Sequence, residues 1–150
     1  MTNETGIYAY SRLQAFREYA AYISGSEQAL FVVVADSSCS AEVRESIEKA
    51  AHARGYSCGV TWVLPWAEAP HLDEAQLLES VEALDPLWTV VVGKDAVELV
   101  AQAYRLEPTE GAALALGRPA CLLPHANELV ATDKAKQALW AHIKSLPAKH

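Results

Sequence analysis

Asp36, Ser37 and Ser38 set a carboxylate beside two hydroxyls. A carboxylate so placed can orient a water or accept hydrogen bonds from a polar ligand. Trp66 offers an aromatic face on which a planar group can stack. Gly93 and Lys94 bring backbone amides and a cation to a helix start, a place that favours anions. His125 carries an imidazole whose ordinary pKa suits proton transfer near neutrality, and Asn127 adds an amide. Brought together, these groups could bind a planar polar ligand or position a water. Asp36 and His125 are then the candidate catalytic pair, with Ser37, Ser38, Trp66, Gly93, Lys94 and Asn127 as candidate ligand-binding residues. Each residue type also has a structural use. Asp and Ser shape turns and cap helices, Gly relieves a tight strand exit, and Trp buries area.

Convergence requires elements that end at one place, and the sequence supplies four. The runs Ala29–Ala35, Gly59–Leu64, Leu87–Val92 and Ala120–Leu123 are nearly all apolar, and each is followed by one of the polar clusters. Continuous apolar runs suit strands covered on both faces, as in a parallel sheet. In open sheets of that kind ligands sit beyond the carboxyl ends of the strands. Helical periodicity fills the intervals. Ser40 caps a helix that turns Val43, Ile47, Ala50 and Ala51 inward and Glu42, Arg44, Glu45, Glu48 and Lys49 outward. Asp73 caps a second with Leu77, Leu78, Val81 and Leu84 on one stripe, and Asp95 caps a third. A leading helix follows Ser11, with Leu13, Phe16, Tyr19, Ala20 and Ile23 on one face, and Ser24-Gly25-Ser26 ends it. A closing helix starts at Thr132 or Asp133, with Ala135, Leu139, His142, Ile143 and Leu146 inward. Leu106–Pro119 reads as an irregular loop with a short turn at Ala112–Leu116. The expectation is one α/β domain over residues 1–150, a three-layer α/β/α arrangement on a four-stranded parallel sheet.

Composition narrows the function classes. Hydrophobic residues make up 51% and charged residues 21% of the chain, as in ordinary globular domains, and the net charge is −7. That charge disfavours nonspecific binding to phosphate backbones. Met1–Tyr10 is polar without an apolar core, and no run approaches membrane-spanning length, so a cytoplasmic protein without membrane contact is expected. Cys39, Cys58 and Cys121 form no CxxC pair, so neither a metal site nor a metal cofactor is expected. Cys39 sits where a helix N-terminus could lower a thiol pKa, although a small, partly buried thiol is the plainer expectation. Dinucleotide-binding GxGxxG, the P-loop and the GxSxG elbow are all missing.

In order and phase the chain resembles the uracil-DNA glycosylase superfamily. Leu84–Val100 (LDPLWTVVVGKDAVELV) is similar to the stretch in which that family's strand exits through Gly into a helix. Gly117–Leu146 is similar to its ending, where a strand delivers a histidine motif before the last helix. The resemblance implies a parallel sheet between helices, Asp36 at the water-activating position and His125 as the motif histidine. It also implies a nucleobase, a nucleotide or single-stranded nucleic acid as partner, with no cofactor, and an N-glycosylase-type hydrolase if the domain is active. The chain departs from the family's pattern. Ala35-Asp36-Ser37-Ser38-Cys39 lacks the Gly and Pro of the first motif, and His125-Ala126-Asn127 keeps only the histidine of the second. The leading expectation is therefore a divergent domain that binds a base, nucleotide or nucleic-acid end with weak or no glycosylase activity. Two alternatives stay open. One is a non-catalytic module that forms a homodimer through Trp62, Trp66 or Trp88. The other is a small-anion or nucleotide-binding regulator using Gly93 and Lys94.

Overall fold

A computed structural model of the protein describes residues 13–26, 31–53 and 59–125. The expected closing helix, Asn127 and Cys58 lie outside the described residues. The described chain is mixed α/β, with six strands in one sheet. Residues 13–18 form helix α1, followed by β1 (Ile23–Gly25), β2 (Phe31–Ala35), α2 (Ala41–Ala53), β3 (Val60–Val63), α3 (Glu74–Leu84), β4 (Trp88–Val92), α4 (Lys94–Tyr104), β5 (Gly111–Ala115) and β6 (Arg118–Leu123). The strands lie in the order β1-β3-β2-β4-β6-β5.

The four strands read from the sequence, β2, β3, β4 and β6, are mutually parallel and central. The sheet is nevertheless not the expected four-stranded parallel one. β1 and β5 add antiparallel strands at its two edges. Ile23 leaves the helical face assigned to it because α1 gives way to a turn, and Ile23 then pairs with Val63. Residues 111–115, expected to be loop and turn, form a strand that folds back on β6 through Leu116 and Gly117. Both turn residues have positive φ, 52° and 84°. Such a two-residue turn matches the twist of a hairpin, and glycine supplies its second position without steric cost.

Buried apolar residues cover both faces of the sheet. On one face Phe31, Val33, Trp62, Trp88 and Val90 pack with Val43, Ile47, Ala50 and Ala51 of α2. On the other, Val32, Val34, Val63 and Val91 pack with α1, α3 and α4 through Ala15, Leu77, Val81, Val97 and Val100. Burial on both faces explains the absence of alternation in the central strands. Ser40 Oγ accepts from the Val43 amide at the start of α2, as expected. Asp73 and Gln76 cap α3 reciprocally, a capping box. The expectation for α4 is corrected. Helix α4 begins at Lys94, so Asp95 lies inside its first turn and the cap position is Gly93, which has no side chain to cap with. No helix among the described residues is long and apolar enough to cross a membrane.

Candidate functional site

The parallel strands bring Asp36, Trp66, Gly93 and His125 to the carboxyl-end rim of the sheet, one cluster beyond each of β2, β3, β4 and β6. The connection from β2 runs through α2 to β3 on one side, and that from β4 runs through α4 to β6 on the other. The gap between β2 and β4 is thus the point where the winding reverses, where ligands enter open α/β sheets.

In this protein Asp36 fills that gap. Its side chain is buried, with 7% of the residue exposed. Oδ2 accepts from the backbone amides of Asp95 and Ala96, at 3.0 and 3.1 Å. Oδ1 accepts from the Ser38 amide at 2.9 Å and from the Ser38 hydroxyl. Asp36 is therefore the missing cap of α4, supplied from 59 residues away. Both oxygens are engaged twice, which uses the four acceptor sites of a carboxylate. Gly93 leaves room for it. With φ at 104°, a Cβ there would collide with the Asp36 carboxylate. An external anion at the start of α4 would have to displace Asp36 from the Asp95 and Ala96 amides.

An open cleft lies beside this latch, at the tips of β2 and β3. It measures about 220 Å³ and is bounded by Asp36, Ser37, Cys39, Arg44, Trp62 and Trp66, among others. Trp66 is half-buried and stacks on His71, with ring centroids 5.5 Å apart and planes 11° off parallel. The loop bearing Trp66 is tied down. The Ala67 amide donates to the Leu64 carbonyl at 3.0 Å, the Leu72 amide to the Pro65 carbonyl at 3.0 Å, and Tyr22 Oη to the Pro70 carbonyl at 2.8 Å. In the same lining, the Arg44 guanidinium lies 4.5 Å from the centroid of the Trp62 ring. The Trp62 indole donates to Glu48 Oε1 at 3.1 Å.

Burial pushes the Cys39 thiol up to about 11, with Arg44 pulling it down and Asp36 pushing it up to lesser degrees. The lowered pKa considered from the sequence is thus overturned, because desolvation outweighs the neighbouring cation. No group of three or more His, Cys, Asp or Glu among the described residues could hold a metal ion.

His125 is exposed and lines a different recess, with Lys94, Val97, Glu98, Pro108 and Pro124. Asp36 and His125 follow strands separated by β4, so their strand axes lie about 10 Å apart. The structure thus gathers Asp36, Ser37 and Trp66 in one cleft, binds Ser38 to Asp36, and sets Lys94 and His125 in a second. Comparison with known proteins gives no match, neither to a family model nor to a curated protein. Helical periodicity places Arg44 on the solvent face, where it is indeed exposed, but gives it no role at the cleft it borders. The only available signal was its position one turn into the helix that follows the Asp36 loop.

Proposed function

We propose that this is a three-layer α/β/α domain of the uracil-DNA glycosylase kind that binds a nucleobase-sized planar ligand without hydrolysing it. The observation that carries the proposal is the cleft between Trp66 and Trp62 at the carboxyl-end rim, with the Ser37 hydroxyl and the Arg44 guanidinium at hand. Its volume of about 220 Å³ is below the roughly 300–1,000 Å³ typical of drug-sized ligand sites, and so suits a single base or a compact nucleotide. Absence of catalysis is supported by Asp36. A carboxylate held by four donors has no free acceptor site with which to orient a water. His125 lines a separate recess.

The test is thermal unfolding and calorimetric titration with uracil, uridine, uridine monophosphate and uracil-containing single strands, alongside a uracil-release assay. A ligand at a hundred times its Kd stabilises by about 2.7 kcal/mol. That corresponds to a Tm rise of about 5–11 °C for a chain of this size. Saturable binding lost in Trp66→Ala, with no uracil released, is the expected result. No binding of any of the four, or binding untouched in Trp66→Ala, overturns the proposal.

A second proposal, a dimerising module, is favoured by one different observation. Trp62 and Trp88 are buried and cannot form a surface patch. On edge strand β5, however, Leu114 and its turn neighbour Leu116 are each 64% exposed, and residues 111–117 carry no charge. Edge strands that avoid pairing usually carry charge. On a chain of net charge −7, an uncharged edge is where a second copy meets least repulsion, and antiparallel pairing of β5 with itself is self-complementary. Sedimentation should show a dimer that Leu114→Lys dissociates; a monomer at millimolar concentration removes this alternative.

A further inference from the structure

We propose that Arg44 makes the rim cleft selective for the anionic form of its planar ligand, a nucleoside monophosphate over the nucleoside or free base. This rests on the cleft being the nucleobase site proposed above. Arg44 lines that cleft, and its guanidinium lies over the face of Trp62, a cation–π contact that favours this placement of an exposed side chain. It makes no ion pair with any described residue, whereas Arg118 is spent on Glu82 and Asp85 and Lys49 on Glu45. A guanidinium whose fork is not committed to a carboxylate can take two oxygens of a phosphate at once.

Two acidic side chains stand nearby, and each is already engaged. Asp36 is held by Ser38 and the α4 amides. Glu48 accepts the Trp62 indole proton. Cys39 lines the same cleft, and there the pull of Arg44 on the thiol exceeds the push of Asp36. A base against Trp66 and a phosphate on Arg44 would use the apolar and the cationic parts of the cleft together. Guanidinium–phosphate pairing adds orientation as well as energy, because its two hydrogen bonds are parallel.

The test compares calorimetric titrations of uridine and uridine monophosphate, and of adenosine and adenosine monophosphate, against the wild-type chain and Arg44→Met. Methionine keeps an unbranched stem of similar length and removes the charge that lies over Trp62. A charge-assisted pair of this type is worth about 1.5–3 kcal/mol, so the monophosphate should bind at least about tenfold tighter than its nucleoside. The expected result is that this ratio collapses towards one in Arg44→Met while nucleoside affinity changes little. High salt should narrow the ratio in the wild type. Inorganic phosphate alone should compete only weakly, because it lacks the ring. Equal binding of nucleoside and monophosphate by the wild type overturns the selectivity but leaves the nucleobase site standing, as does a ratio that survives in Arg44→Met. Failure of all four ligands to bind overturns the site itself.

Discussion

Replacing Asp36 by Asn keeps the shape of the side chain but leaves one acceptor oxygen where there were two. The new amide nitrogen must face either the Ser38 amide and hydroxyl or the Asp95 and Ala96 amides. Facing Ser38 is the cheaper choice, since a hydroxyl can rotate to accept. The Ser38 N–H then loses its acceptor, and the α4 amides keep a neutral partner in place of a charged one. A hydrogen bond to a charged group contributes about 1.5–3 kcal/mol. A negative charge at a helix N-terminus adds about 0.3–1 kcal/mol. The expected loss is about 3 kcal/mol, or about 6–12 °C in Tm for a chain of this length. Asp36→Ala should cost more, because it orphans the α4 amides as well. Urea unfolding of both variants gives the free energy directly, and hydrogen exchange at Asp95 and Ala96 shows whether the first turn of α4 has loosened. Ser37→Ala is the control: Ser37 is exposed, and its removal should leave stability within about 0.5 kcal/mol of wild type. An Asp36→Asn protein that melts within about 2 °C of wild type would refute the latch. Asp36 would then be a residue kept for chemistry, and uracil release would have to be re-examined.

Gly93→Ala should be at least as damaging, about 3 kcal/mol or more, because the new methyl group lands on the Asp36 carboxylate at a backbone angle that disfavours side chains. In an Asp36→Ala background its cost should shrink, and strict additivity in a double-mutant cycle would contradict the contact. Trp88 buries an indole N–H that finds no acceptor among the described residues. Trp88→Phe should therefore change stability by less than about 1 kcal/mol, whereas Trp62→Phe, which strips the bond to Glu48, should cost more in urea unfolding. The Cys39 and Cys121 thiols are pushed up to about 11 and about 12 by burial. A raised folded-state pKa gives stability that is complete below the ordinary thiol pKa of about 9 and fades as pH climbs towards 11–12. Tm should accordingly be flat with respect to these groups up to about pH 9 and fall beyond it, and alkylation of Cys39 at pH 8 should be slow; fast modification there would contradict its burial.

The four parallel strands could be read from the sequence because burial on both faces leaves runs such as Phe31–Ala35 and Trp88–Val92 with hardly a polar residue. The edge strands could not. Ile23 fits the apolar stripe of α1 as well as it fits a strand, and only its pairing with Val63 decides between them. Gly111–Ala115 is glycine and alanine around one leucine, residues with weak strand preference, and becomes a strand because Leu116 and Gly117 return it onto β6. The candidate site divides the same way. A polar residue at a strand end announces itself, so Asp36, Gly93 and His125 stand out, but their partners do not. Nothing local tells that the Asp36 carboxylate meets amides 59 residues on. The one hint is a helix that opens on glycine with no side-chain cap of its own.

The latch also bears on where a ligand can go. Asp36 N donates to the Val92 carbonyl at 3.2 Å and Gly93 N to the Leu123 carbonyl at 3.0 Å, so the tips of β2, β4 and β6 are stitched side by side before the carboxylate joins them to α4. The usual entry point of the fold is thereby closed from within, and the start of α4, the natural seat for an anion, holds one already. A ligand is left with the neighbouring gap between the tips of β2 and β3. One wall there is this stitched rim, and the other is the Trp66 loop pinned by Tyr22 and by its own backbone bonds. Two walls fixed in advance reduce the ordering a ligand must impose on binding. With few polar groups in the cleft and Asp36 fully engaged, charge recognition falls to the cation there that no described carboxylate pairs. On this argument Arg44, rather than Lys94 at the start of α4, is the residue whose loss should weaken binding of an anionic ligand.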